Sequence, residues 1–153
     1  MALLDKKVPP LVVAGISAAG IWVLSVALPG ADLPHWFRLY GSLLFLILGA
    51  SVCIAGVVEF RRVQTTVDPR KPESSSSLVT SGVYTVTRNP MYLGFAFLLL
   101  ALALYLASYW SLLIVAGFVI YIDQFQIRPE EKALAETFGQ AFRNYQARVR
   151  RWI

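Results

Sequence analysis

The stretch MYLGFAFLLLALALYLASYWSLLIVAGFVIYI, residues 91–122, runs for 32 residues without a charged side chain. As one helix it would be about 48 Å long, too long for a single upright crossing of a hydrocarbon core of about 30 Å. Its polar break falls at Ser108, beside Tyr109 and Trp110, residue types that favour the membrane interface. The stretch therefore reads as a tight helical hairpin, one arm over 91–107 and the other over 109–127. The second arm reaches full length only by including Asp123, Gln124 and Gln126. Two further apolar runs lie upstream, 18 residues at 11–28 and 20 residues at 39–58, each long enough to cross. The expected fold class is all-α: a polytopic membrane protein of four spans with an amphipathic tail helix, forming one membrane domain over residues 1–153.

Composition agrees. Of 153 residues 57% are hydrophobic and 15% charged, well below the quarter or so of charged residues in soluble domains. The distribution of charge orients the spans. Lys6 and Lys7 precede the first, only Arg38 lies between the first and second, and Arg61, Arg62, Arg70, Lys71 and Arg88 fill the long loop 59–90. Arg128, Lys132, Arg143, Arg148, Arg150 and Arg151 follow the last span. Thirteen of 14 basic residues thus share one side, which the positive-inside rule makes cytoplasmic, together with both ends of the sequence. The net charge of +5 is then a topology signal and not a nucleic-acid footprint. The first run is long for a signal-peptide core and lacks a clear cleavage site, so it reads as a retained span. The lone Cys53 excludes an internal disulfide and reads as core packing, His35 and Glu59 as boundary residues, and no Cys/His cluster offers a metal site.

Two cytoplasmic segments are not explained by crossing a membrane. In loop 59–90 the Pro72–Ser77 stretch has linker composition, but Leu78-Val79-Thr80-Ser81-Gly82-Val83-Tyr84 and Arg88-Asn89-Pro90-Met91-Tyr92-Leu93-Gly94 are dense in turn formers and aromatics. Asn89-Pro90 suits a helix cap and first turn, and Tyr84 and Tyr92 suit an interface belt. The second segment, Arg128-Pro129-Glu130-Glu131, fits the first turn of a new helix, where carboxylates offset the macrodipole. Leu134, Phe138, Ala141, Phe142 and Tyr145 then recur at helical spacing. That helix either lies on an anionic leaflet, with Trp152 at the headgroups, or packs over the loop and closes a pocket. Asp123, a carboxylate within a span, is a functional candidate that can equally pair with a cytoplasmic arginine.

These motifs, with Phe138-Gly139, Tyr145 and Arg148-Val149, resemble the isoprenylcysteine carboxyl methyltransferase and phospholipid methyltransferase superfamily over roughly residues 60–153. The resemblance implies an S-adenosylmethionine-dependent membrane methyltransferase. It places Leu78, Val79, Tyr84, Arg88, Asn89, Pro90, Met91, Tyr92 and Glu130 around the cofactor, with Ser77 at the edge. Glu131 or Asp123 would accept a proton where the acceptor requires it, and Gln126 and Arg128 would meet the substrate. Asn89 stands where the family has histidine, and Gln126 where the prenylcysteine-methylating members have a carboxylate-binding arginine. A small lipophilic amine, thiol, phenol or carboxylate is therefore expected in place of prenylcysteine, with membrane lipids as the surroundings. A non-catalytic scaffold or sensor that keeps the fold is the alternative. A transporter is disfavoured, because Asp123 is the one ionisable candidate inside the spans.

Overall fold

The computed structural model describes residues 8–63 and 77–153; Lys6, Lys7, Arg70, Lys71 and the linker-like residues 72–76 lie outside them. Among the described residues the chain is all-helical. Helix α1 spans Pro10–Ala27, α2 His35–Arg62, α3 Pro90–Tyr105, α4 Ser111–Ile122 and α5 Arg128–Arg148. A 3-10 turn at Gly82–Thr85 precedes α3, and a π turn at Asp123–Ile127 joins α4 to α5. By length and composition α1, α2 and the α4–α5 unit can each cross a membrane, whereas α3 is a shorter apolar helix of 16 residues.

Helix α3 is the central one. Tyr92, Ala96, Leu99 and Ala103 of α3 are buried with Ile21 of α1 and Val115, Phe118, Ile122 and Ile127 of the α4 side. On its other face α3 touches α2 through glycine. A Cβ added at Gly49 would sit 2.8 Å from the Gly94 carbonyl oxygen, so the two backbones meet with no side chain between them. Such small-residue contacts let membrane helices gain dispersion energy where lipid offers no hydrophobic drive. In the same interface Cys53 donates its thiol to the Met91 carbonyl at 3.5 Å.

The hairpin expected from residues 91–122 is present, with its first arm ending two residues early. Ala107 takes a positive φ of 50°, its N–H bonds the Leu104 carbonyl, and the Ser108 N–H reaches back to Ala103. This is a Schellman cap with alanine where glycine is usual. Arg38, the one basic residue expected on the far side, donates Nε to the Tyr105 carbonyl at 3.0 Å and so serves the last turn of α3. Helix α2 extends beyond the apolar run 39–58 at both ends, taking in His35, Arg38, Glu59 and Arg62.

Arg128-Pro129-Glu130-Glu131 forms the first turn of α5, as its residues predict, with no break before it: backbone angles stay helical from Ile122 through Arg128, and the Arg128 N–H bonds the Asp123 carbonyl five residues back. Proline lacks an N–H and clashes with the preceding turn of a regular α-helix, and the wider π turn just before it eases that clash. Two expectations are corrected. The tail helix is not one straight amphipathic rod, because Gly139 breaks it at φ 52°, ψ −121°. Phe142 and Tyr145 still face inward, but Ala141 is exposed. Trp152, in turn, is partly buried against the bundle core instead of standing free at the headgroups. Of the two fates open to the tail helix, the structure takes packing over the loop: Val79, Tyr84, Phe142 and Tyr145 form a second buried cluster, flanked by Phe60, Leu78, Leu134 and Phe138.

Candidate active site

The turn at residues 81–84 is built on α2. Gly82 has φ 57°, a conformation costly for any residue with a Cβ, and an added Cβ would lie 2.5 Å from the Glu59 carboxyl carbon. Ser81 donates its hydroxyl to Glu59 Oε2 at 2.8 Å, while Arg62 holds Oε1 at 3.3 Å. The turn thereby delivers Tyr84 inward. Its ring meets Phe60 edge-on at 5.5 Å, and Tyr145 of α5 donates its hydroxyl to the Tyr84 carbonyl at 2.8 Å. Burial pushes the Tyr84 phenol well above its usual range, and nearby Tyr145, Glu130 and Glu59 act in the same direction. At physiological pH it is a neutral phenol, not a base.

Residues 87–92 follow directly. Asn89 precedes α3 but does not cap it with its side chain. Its Nδ2 donates instead to the Arg151 carbonyl at 2.9 Å, and its own N–H is taken by the Thr87 hydroxyl at 3.2 Å. Pro90 supplies the first residue of α3 and is buried. One turn into the helix, Tyr92 donates its hydroxyl to Glu130 Oε1 at 2.6 Å. Met91, its neighbour, lies against Gly56 of α2, on the side away from that contact.

The carboxylates in and after the π turn divide by partner. Glu130 meets Tyr92. Glu131 is gripped by Arg88 at 3.0 Å and by Arg151 at 2.7 Å and 3.1 Å. Asp123 pairs with Arg151 at 3.0 Å and Arg128 at 3.1 Å, which realises the arginine pairing open to it from sequence. Gln126 is fully buried, and its Nε2 donates to the Val8 carbonyl at 2.7 Å, at the start of α1. Because Val8 offers only an acceptor, the amide orientation is fixed, and Oε1 has no partner among the described residues. Arg88 Nε is likewise buried and unpartnered among them.

Of the residues singled out from sequence, Tyr84, Arg88, Asn89, Pro90, Tyr92, Glu130, Glu131 and Asp123 thus form one linked cluster, with Leu78 and Val79 packed beneath Tyr84. Ser77 is exposed at the edge, Arg128 is half exposed, and Gln126 faces α1. Sequence reasoning missed the supports: Glu59 read as a boundary residue and Arg151 as one of several basic tail residues. The available signal for Glu59 was a carboxylate ending an apolar run, a costly position unless it is partnered.

The family model for phospholipid methyltransferase matches residues 37–141, from the first turn of α2 to just past the Gly139 break. The chain is also similar to an uncharacterized protein of Haemophilus influenzae, 43% identical over 63 residues, which cover 41% of this chain and all of that protein. The family model covers more than half of the chain, so the chain belongs to the phospholipid methyltransferase family, and with its long apolar helices it is an integral membrane methyltransferase.

Proposed function

We propose that the protein transfers a methyl group from S-adenosylmethionine to a lipophilic amine within the membrane, at a cleft between residues 78–92 and the first turn of α5. The observation that carries this reading is the Tyr92–Glu130 contact, which joins the two segments at a single anion. The donor set fits the cofactor. Glu130 offers a negative charge to its ammonium group, and the buried Arg88 Nε–H, without a partner among the described residues, offers a donor to its carboxylate. Leaving that N–H unpaired costs about 1–3 kcal/mol, which a bound carboxylate would relieve. Tyr84 and Tyr92 are neutral aromatic faces suited to a sulfonium or an adenine ring. Bound S-adenosylmethionine would supply an electrophilic methyl, released to the acceptor as the sulfonium becomes a neutral thioether.

The acceptor follows from the remaining residues. Gln126 has spent its donor on Val8, so it leaves an acceptor oxygen, which favours a molecule bringing N–H or O–H over a carboxylate. Asp123 and Glu131 could take a proton only by giving up arginine contacts. A neutral amine meets both conditions: it carries N–H, attacks through its lone pair, and loses its proton to water after transfer. Catalysis then rests mainly on proximity and orientation. The positive-inside distribution supports a cytoplasmic cleft, with both ends of the sequence on that side.

Titrating purified protein with S-adenosylhomocysteine tests the cofactor. Binding is expected, and Glu130→Gln should weaken it by about 1.5–3 kcal/mol, the worth of a hydrogen bond to a charged group. Equal affinity of variant and parent removes Glu130 from the site. Labelled methyl transfer to a total lipid extract tests the acceptor: label in amine lipids supports the reading, and binding without any labelled product favours a scaffold or sensor.

A further inference from the structure

The four residues after α5, Val149-Arg150-Arg151-Trp152, form a strap across the site. Val149 is extended and packs in the cluster around Tyr84, while Trp152 packs in the bundle core, so the segment is anchored at both ends. Between the anchors, the Arg150 carbonyl accepts the Arg88 N–H at 3.1 Å. The Arg151 carbonyl accepts both the Thr87 hydroxyl at 3.3 Å and the Asn89 amide at 2.9 Å. The Arg151 guanidinium forks onto both oxygens of Glu131 and reaches Asp123 with its third nitrogen. One residue therefore grips residues 87–89 with its backbone and the start of α5 with its side chain. It lies beyond residues 37–141, the part matched by the family model.

We infer that Arg151 is a positioning residue, which fixes the spacing between the Tyr92-bearing and Glu130-bearing elements and so sets the cofactor site. The Tyr92–Glu130 bond, the Arg88–Glu131 pair, the Tyr145–Tyr84 bond and the packing of Tyr92 with Ile127 join the same elements, but among the contacts described above Arg151 is the residue that holds residues 87–89 and both Glu131 and Asp123 at once. A fork onto one carboxylate holds orientation as well as distance, which a lysine point charge does not reproduce. For its affinity arm the inference rests on the methyl-transfer reading; its structural arm stands apart from it.

The test uses the full chain in lipid nanodiscs, comparing Arg151→Gln, Arg151→Lys and Arg143→Ala by amide hydrogen exchange and by S-adenosylhomocysteine binding. Arg151→Gln should raise exchange in residues 86–94 and 128–134 together and weaken binding about ten-fold or more, the loss typical of charge-assisted bonds. Arg151→Lys should recover part of both. Arg143→Ala removes an exposed arginine of the same tail, whose side chain bonds Gln140 and not a carboxylate of the site, and should leave exchange in both segments and the affinity unchanged. Native exchange in either segment of Arg151→Gln, or native affinity, overturns the inference; so does Arg143→Ala weakening binding as much as Arg151→Gln. Should Arg151→Gln fail to fold, Arg151→Lys decides, and wild-type exchange and affinity in it overturn the proposal. If the parent protein binds no S-adenosylhomocysteine, the methyl-transfer reading falls and the exchange comparison alone decides the role of Arg151.

Discussion

Tyr92 and Glu130 are 38 positions apart in the chain, yet the phenol of one donates to the carboxylate of the other at 2.6 Å. The contact ties the head of α3 to the head of α5, so the site belongs to neither helix alone. Tyr92→Phe removes the donor and leaves a partly buried carboxylate with less solvation. The expected loss is about 1.5–3 kcal/mol of stability, read by chemical denaturation in detergent. An unchanged midpoint would mean that the bond is not formed in solution.

Gly82 and Gly139 both have positive φ, but for separable reasons. Alanine at 82 meets Glu59, whereas alanine at 139 meets nothing within 4 Å. Gly139→Ala should therefore cost only the backbone term, on the order of 1–2 kcal/mol, and Gly82→Ala should cost more. Thermal melts of the two variants side by side check the order; equal losses would show that Glu59 moves aside freely.

Phe142 is 2% exposed and packs beneath the turn that carries Tyr84. Phe142→Ala should cost about 3–5 kcal/mol within that cluster. Because the cluster is separate from the bundle core, the loss should be local. Proteolysis is expected to reach residues 128–148 first while α1 to α4 stay protected. Uniform unfolding of the whole chain would contradict that division.

Burial of Tyr84 raises its pKa above the ordinary value of 10.0. The folded state thus holds the proton more tightly than the unfolded state. That contribution is complete below pH 10 and declines as pH rises above it. Tyr84→Phe should be less stable or equal at neutral pH, yet lose less stability than the parent between neutral and strongly alkaline pH. Parallel pH profiles would show that Tyr84 does not titrate differently in the two states.

The helices were legible because apolar run length and the bilayer's thickness constrain each other, and residues 91–122 could be nothing but a hairpin. The membership of the cluster was legible as well, since Tyr84, Asn89, Tyr92 and Glu130 sit in motifs with recognisable order. The pairing was not. Spacing places Glu131 and Asp123 on a helix but carries no information about which of several arginines returns to meet them. Gly139 escaped notice because the apolar pattern from Leu134 to Tyr145 continues across the break. Pro129 marked the first turn of α5, but spacing carries no sign that a π turn joins that helix to α4 without a break.

The π turn has one more consequence. It joins the greasy α4 to the polar α5 as a stiff lever with no joint before Gly139. Hydrophobic mismatch makes a crossing helix lean, by an amount that depends on lipid chain length. On the proposed function, a lean of α4 carried past the π turn should shift Glu130 at the start of α5, so bilayers of different acyl length are expected to change the affinity for the cofactor.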